Sequence, residues 1–217
     1  MAIIAKATGS SIEPVKEGIH HAVCVGVYDV GTHFYEAFGT STHKVILTWE
    51  IPEERITVKK DGESLDRPRV ISKTYTLTLH EKSTLYKDLC GWRNKTFTEK
   101  ELQAFHLETL LGKNCMLQVL HHVSGGKTFA KVEAVLPLYK GMKPVAPEGE
   151  VLSYSFDVNG EDIPEGVPKW IADMIQKSEE YARLGEEDVP DVAVKDDPAP
   201  WEVADGSPAQ AEEEVPF

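Results

Sequence analysis

The sequence predicts a mostly β fold, a small barrel of five strands with helices between the third and the fourth. Three stretches with alternating or β-branched residues come first. Two helix-start signals follow, and two further strands joined by Ser-Gly-Gly complete the pattern. The chain has 217 residues, of which 41% are hydrophobic, and this suits one globular core with appended segments.

The first three strands are predicted from alternation and composition. They cover residues 18–28, 44–58 and 69–80, and the third is especially rich in β-branched and aromatic side chains. Residues 29–43, which are rich in Gly, Thr, Ser and aromatic residues, are predicted to be a long loop. Residues 59–68 are predicted to be a charged turn.

Two helices are predicted next from their capping residues. Ser83 is suited to cap a short helix that ends at Gly91. Thr98 and Glu101 have the spacing of a capping box, which opens a second helix that ends at Gly112.

The last two barrel strands are predicted over residues 114–123 and 127–137, joined by Ser124-Gly125-Gly126. The element order is therefore β-β-β-α-β-β. An OB-fold, a five-stranded Greek-key barrel, has this order. A five-stranded meander with an inserted helical hairpin has it too, so the order alone leaves both open.

The chain is predicted to have four parts. An N-terminal arm covers residues 1–17, the OB-fold domain covers 18–147, an extra strand and helix packed on the barrel cover 148–184, and a disordered acidic tail covers 185–217. We expect the helix, over residues 168–184, to dock on the barrel rather than to bind a partner. Its predicted apolar side consists of Trp170, Ile171, Met174, Ile175 and Ala182.

Charge is spread unevenly along the chain. The formal net charge is −13, but residues 1–147 carry 19 basic and 16 acidic residues, a net +3. Residues 185–217 carry one basic and 11 acidic residues, a net −10. A mildly basic body with an acidic tail is compatible with nucleic-acid binding, which the overall charge alone would argue against.

Several function classes are not supported by any motif. No catalytic constellation and no metal-ligand spacing is present, so we expect no enzyme activity, no metal and no cofactor. Cys24, Cys90 and Cys115 lie far apart and are predicted to be small buried side chains rather than a disulfide framework. No apolar run approaches about 18 residues and no signal peptide is evident, which predicts a cytoplasmic protein without a membrane partner.

Aromatic and basic residues interleave at the positions where an OB-fold binds single strands. Bases stack on aromatic rings, and phosphates need cations along the backbone. For any single aromatic residue a core position is equally compatible, and Trp92 could instead seal the bottom of the barrel. The candidate nucleic-acid-binding residues are Phe34, Tyr35, Lys44, Arg69, Lys73, Tyr75, Trp92, Arg93, Lys127, Phe129 and Lys131.

The end of the sequence is predicted to bind a partner protein. An apolar-Pro-Phe end suits a pocket with a basic rim that would hold the acids, and proline limits conformational freedom before binding. The residues concerned are Glu212, Glu213, Glu214, Val215, Pro216 and Phe217.

This tail is similar to that of bacterial single-stranded DNA-binding proteins, which end in an acidic run closing Ile-Pro-Phe. The body resembles phage-encoded OB-fold single-stranded DNA-binding proteins over roughly residues 18–184. The stretches that carry the resemblance are Ile71–Leu79, Lys82–Leu85, Leu89–Arg93, Leu110–Cys115, Gly126–Ala130 and Pro168–Ile171.

The resemblance implies a protein that binds and protects single-stranded DNA without strong sequence preference, in phage DNA replication, recombination or repair. Its tail would recruit replication or repair proteins, and the protein could be a dimer. Two alternatives stay open, a strand-annealing recombination protein and an interaction protein that mimics the host tail without binding DNA. RNA is a further possible ligand because OB-folds bind both nucleic acids.

Overall fold

A computed structural model describes residues 13–60 and 63–185 of the chain. The predicted tail, most of the predicted arm and the Asp61-Gly62 turn lie outside these residues. Along the described chain the strands are β1 Gly18–Tyr35, β2 Thr40–Lys60, β3 Glu63–Thr76, β4 Asn114–Ser124, β5 Lys127–Leu136 and β6 Leu152–Tyr154. The helices are α1 Thr84–Arg93, α2 Glu99–Gln103, the 3-10 turn Leu107–Leu110, α3 Phe156–Asn159, α4 Lys169–Gln176 and α5 Glu179–Leu184.

Five antiparallel strands form a half-barrel that curls through 230°. The strand order is β3-β2-β1-β4-β5, with helices between β3 and β4, so the predicted mostly β fold is confirmed. A meander would keep the strands in chain order, whereas here β1 lies between β2 and β4, as in an OB-like barrel. The free edges of β3 and β5 meet across a gap, which we call the seam.

The predicted loop over residues 29–43 is mostly strand. β1 continues to Tyr35 and β2 begins at Thr40, with the two strands paired up to the tip of the hairpin. Gly31, whose φ is +73°, marks an irregularity in this pairing rather than the start of a loop. The glycine and the small polar residues therefore belong to a bulged hairpin. Composition alone does not distinguish a bulged hairpin from a long loop.

The predicted helix starts are confirmed, but the predicted ends are not. The Ser83 hydroxyl caps α1, and Thr98 forms the predicted capping box with Glu101. However, α1 continues through Gly91 to Arg93. A Cβ atom on Gly91 would lie 2.8 Å from a backbone oxygen of β5, so this glycine allows close packing instead of ending the helix. The second predicted helix stops at Gln103, and a separate 3-10 turn follows.

The main core fills the concave side of the half-barrel. Every second residue of β2 from Val45 to Ile51 belongs to it, as the alternation of a strand predicts. Val15, just before β1, is also buried there.

A second core covers the convex side. Ile171 and Ile175 of α4 pack against Tyr28, Val30 and Ile46 of the first hairpin. The predicted single helix over residues 168–184 is in fact two helices. α4 ends at Gln176, and the Ser178 hydroxyl caps the start of α5. The predicted strand also stops at residue 154, where β6 pairs parallel with β1 and α3 follows.

Candidate nucleic-acid interface

A continuous groove follows the seam between β3 and β5. It consists of two cavities of about 980 Å³ and 640 Å³, both of which are lined by Ser72 and Ala130. The walls are residues 69–76 of β3 and 126–133 of β5 with the turn before it. We call the larger cavity the apolar section and the smaller one the basic section.

The apolar section presents hydrophobic side chains to solvent. Phe129 is 50% exposed and Val70 of β3 is 55% exposed, and both line this cavity. Lys127 lies at the hairpin turn on one side, and Arg69 lies on the other, where its guanidinium donates to the backbone oxygen of Glu13. This section therefore combines an accessible ring with two cations.

The basic section is lined by four lysines. Lys73 and Lys131 belong to the two edge strands, Lys44 comes from β2, and Lys82 comes from the segment just before α1. The whole groove thus has six cationic side chains and two carboxylates, Glu13 and Glu133, among the described residues. Asp88 pairs with Lys73, which leaves five cations against these two carboxylates. The seam therefore carries a local excess of positive charge, although the described residues together have a net charge of −3.

Lys73 joins the elements on both sides of the seam. Its Nζ atom is 2.6 Å from a carboxylate oxygen of Asp88 in α1 and 3.0 Å from the backbone oxygen of Glu133 in β5. The Tyr75 hydroxyl donates to the same Asp88 oxygen at 2.8 Å. Burial, together with the neighbouring Asp88 carboxylate, raises the pKa of Tyr75 well above its usual range, so the phenol stays neutral.

The tip of the β1–β2 hairpin lies beside the basic section. Lys44 donates to the Thr76 hydroxyl at 3.0 Å, and its Nζ atom lies 5.4 Å from the centre of the Tyr35 ring. Phe34 and Phe38 are largely exposed at the same tip. Tyr35 therefore lies next to the basic section, and two further exposed aromatic side chains belong to the same hairpin tip.

Four predicted residues are not accessible to a strand. Lys73 is the first, because its side chain is only 11% exposed and is paired with Asp88. Tyr75 is only 2% exposed, and its ring lies in the core. Trp92 is also in the core, where its indole N–H donates to the backbone oxygen of Asn114 at 2.9 Å, so the barrel-sealing alternative describes it correctly. Arg93 stacks over the rings of Phe97 and Phe105 and is paired with Glu101.

The structure brings together most of the other predicted residues. Arg69, Lys127 and Phe129 line the apolar section, and Lys44 and Lys131 line the basic section. Sequence reasoning missed Lys82 as a candidate. Its position directly before the helix cap at Ser83 was the available signal, because a helix that follows β3 must start near the end of that strand. Residues 212–217 lie outside the described part of the chain.

In the described ranges no three His, Cys, Asp or Glu side chains come together in a way that could hold a metal ion. Cys24 and Cys115 are buried, as predicted, and burial raises the pKa of Cys24 to about 12. Within the same residues no helix has both the length and the apolar character needed to cross a membrane.

Comparison with known proteins adds no family assignment. No protein-family model matches the chain, and no curated protein is significantly similar to it in sequence.

Proposed function

We propose that this chain binds single-stranded DNA along the seam and acts in phage DNA replication or recombination. The observation that supports this most directly is the groove itself, in which the exposed Phe129 ring and five cations besides the Asp88-paired Lys73 follow one continuous path. Binding sites for single strands combine these two features, cations that track phosphates and rings on which bases stack.

The lining of the groove favours binding without strong sequence preference. None of the described residues that line it is Asn or Gln, the side chains that read adenine through paired hydrogen bonds. Lysines contribute most of its charge, and they contact phosphates as point charges. A ring stacks on any base, so Phe129 adds affinity with little discrimination.

The proposed role of the tail rests on sequence alone. We propose that residues 212–217 recruit replication or repair proteins, because their carboxylates and apolar end suit a pocket with a basic rim. The same body could then protect the strand while the tail holds a partner.

The test is a titration of the full chain with a fluorescent oligonucleotide at two salt concentrations. We expect affinity to fall steeply with salt. Phe129→Ala should weaken binding by about 1–3 kcal/mol because it removes a stacking surface. Trp170→Ala is the matched control, since Trp170 is 47% exposed on α4, away from the seam.

Two outcomes would contradict the proposal. If the wild-type chain binds no oligonucleotide at low salt, the barrel is a scaffold and the interaction-protein alternative gains support. If folded Phe129→Ala binds as tightly as wild type and as the Trp170→Ala control, the strand lies somewhere other than the apolar section.

A further inference from the structure

Helix α5 is attached to the β1–β2 hairpin through the carboxylate of Glu180. One of its oxygens accepts the Thr32 backbone N–H at 2.6 Å, and the other accepts the Thr32 hydroxyl at 2.6 Å. The neighbouring Glu179 accepts the hydroxyl of Ser41 on the opposite strand at 2.8 Å. Both strands of the hairpin are therefore bonded to the start of one short helix.

His43 lies between Glu180 and a second carboxylate. Its Nε2 atom is 2.6 Å from Asp29 of β1, and its Nδ1 atom is 3.5 Å from Glu180 of α5. The charged groups that act on His43 are these two carboxylates. The Nδ1 atom also lies 3.4 Å from the Thr32 hydroxyl, which itself donates to Glu180. A protonated ring has one N–H toward Asp29 and one toward Thr32 and Glu180, whereas a neutral ring has only one N–H to donate.

The backbone next to this cluster is built for close approach. Gly31 has a φ of +73°, and a Cβ atom there would lie 2.6 Å from a carboxylate oxygen of Glu180. Only glycine accepts both the conformation and the contact at low cost. The contact between α5 and the hairpin is thus specified by the backbone as well as by side chains.

We propose that Asp29, His43 and Glu180 form a proton-dependent latch that fixes the β1–β2 hairpin to α5. The latch positions the hairpin tip, which carries Phe34, Tyr35 and Phe38 and places the Tyr35 ring beside Lys44 of the groove. Its effect on strand affinity rests on the proposed function, whereas the latch itself does not.

The direction of the pH effect follows from the two ionisable partners. The hydrogen bond to Asp29 raises the pKa of His43 above 6.5, so its contribution is complete below 6.5 and is lost as pH rises through the raised value. Partial burial would raise the pKa of Glu180, but the Thr32 donors lower it below 4.5. Its contribution is complete above 4.5 and is lost as pH falls through the lowered value. The latch is therefore strongest between about 4.5 and 6.5 and weakens above.

The experiment measures hydrogen exchange of the Thr32 amide in the full chain, expressed as a protection factor at pH 6 and pH 8.5. We expect the protection factor to fall several-fold between the two in wild type. In His43→Gln it should be low at both pH values. In Asp173→Asn, which removes an exposed carboxylate from α4, it should follow wild type. Oligonucleotide affinity of the same proteins is measured in parallel.

The outcomes separate the latch from the proposed function. A Thr32 protection factor that does not change with pH, or that changes equally in His43→Gln, would overturn the latch. A pH-dependent protection factor in a chain that binds no oligonucleotide would support the latch and reject the proposed function. Oligonucleotide affinity that falls together with protection would support both.

Discussion

Lys73 shows how one side chain serves both the stability and the charge of the groove. Its side chain and that of Asp88 are each only 11% exposed, so the pair is largely removed from water. In contrast, the Lys131–Glu133 pair on β5 has an N···O distance of 3.5 Å and is mostly solvated. The two pairs lie on opposite walls of the groove and differ in how much each contributes to folding.

We expect Asp88→Asn to destabilise the fold by roughly 3 kcal/mol. The substitution leaves the Lys73 ammonium without its charge partner in a largely buried position and weakens the acceptor of the Tyr75 hydroxyl. Glu133→Gln is the matched control, because breaking an exposed pair changes stability by less than about 1 kcal/mol. Urea unfolding of the two variants and wild type gives both values. Equal, small losses would show that the Asp88 contact contributes little.

At the scale of single elements, β5 contributes both to the core and to the groove, and an irregularity in its pairing with β4 decides which of its residues are buried. Its pairing with β4 shifts between Gln118 and Val119, so that Val132 and Val135 are both buried although they differ in parity. Uninterrupted alternation would instead have placed Ala134 and Leu136 on the core face. Before the shift the alternation is regular, so the sequence places Phe129 and Lys131 on the opposite face from Val132. Both side chains are exposed there.

Helix α4 offers a direct test of packing at this scale. Ile175 is fully buried in the second core, whereas Trp170 on the same helix is 47% exposed and is not part of that core, contrary to the predicted apolar side. Ile175→Ala should cost roughly 2–5 kcal/mol because it leaves a cavity. Trp170→Ala should change stability by no more than about 0.5 kcal/mol. Thermal or urea unfolding measures both, and comparable losses would mean that α4 is packed on the other side.

The whole molecule is organised by the separation of charge. Six cations line the seam, while the 32 residues that follow Gly185 hold a net charge of −10. An acidic segment on the same chain repels phosphates and competes with them for cations. Its effect on strand binding should depend on salt more strongly than that of any single groove residue.

Removal of residues 186–217 should therefore tighten oligonucleotide binding. The truncated chain has a net charge of −3 instead of −13, and the gain should be largest at low salt, where screening is weak. A full-length control with the tail acids changed to Asn and Gln separates charge from length. Equal affinity of truncated and wild-type chains at low ionic strength would show that the tail does not restrain binding.

The sequence by itself determined the features that depend on local chemistry. Alternation and composition placed the central part of all five barrel strands, although β1, β2 and β3 extend into the predicted loop and the predicted charged turn. Ser83 and Thr98 fixed the two helix starts through their hydroxyl caps. The two glycines of the β4–β5 turn have φ values of +57° and +73°, which is why Gly125-Gly126 was a reliable hairpin signal. These features need only a few neighbouring residues, so they are visible without the fold.

Only the tertiary structure decided which of the predicted charged and aromatic residues remain accessible. Lys73 and Lys127 look equally available in the sequence, but Asp88 neutralises the first from a helix packed beneath the seam. Glu50 lies in a strand of core residues, yet its buried carboxylate accepts the N–H groups of residues 148 and 149 from a segment about 98 residues away. Alternation along a strand gives the face on which a side chain lies, but not what packs against that face, because packing depends on segments that are distant in sequence.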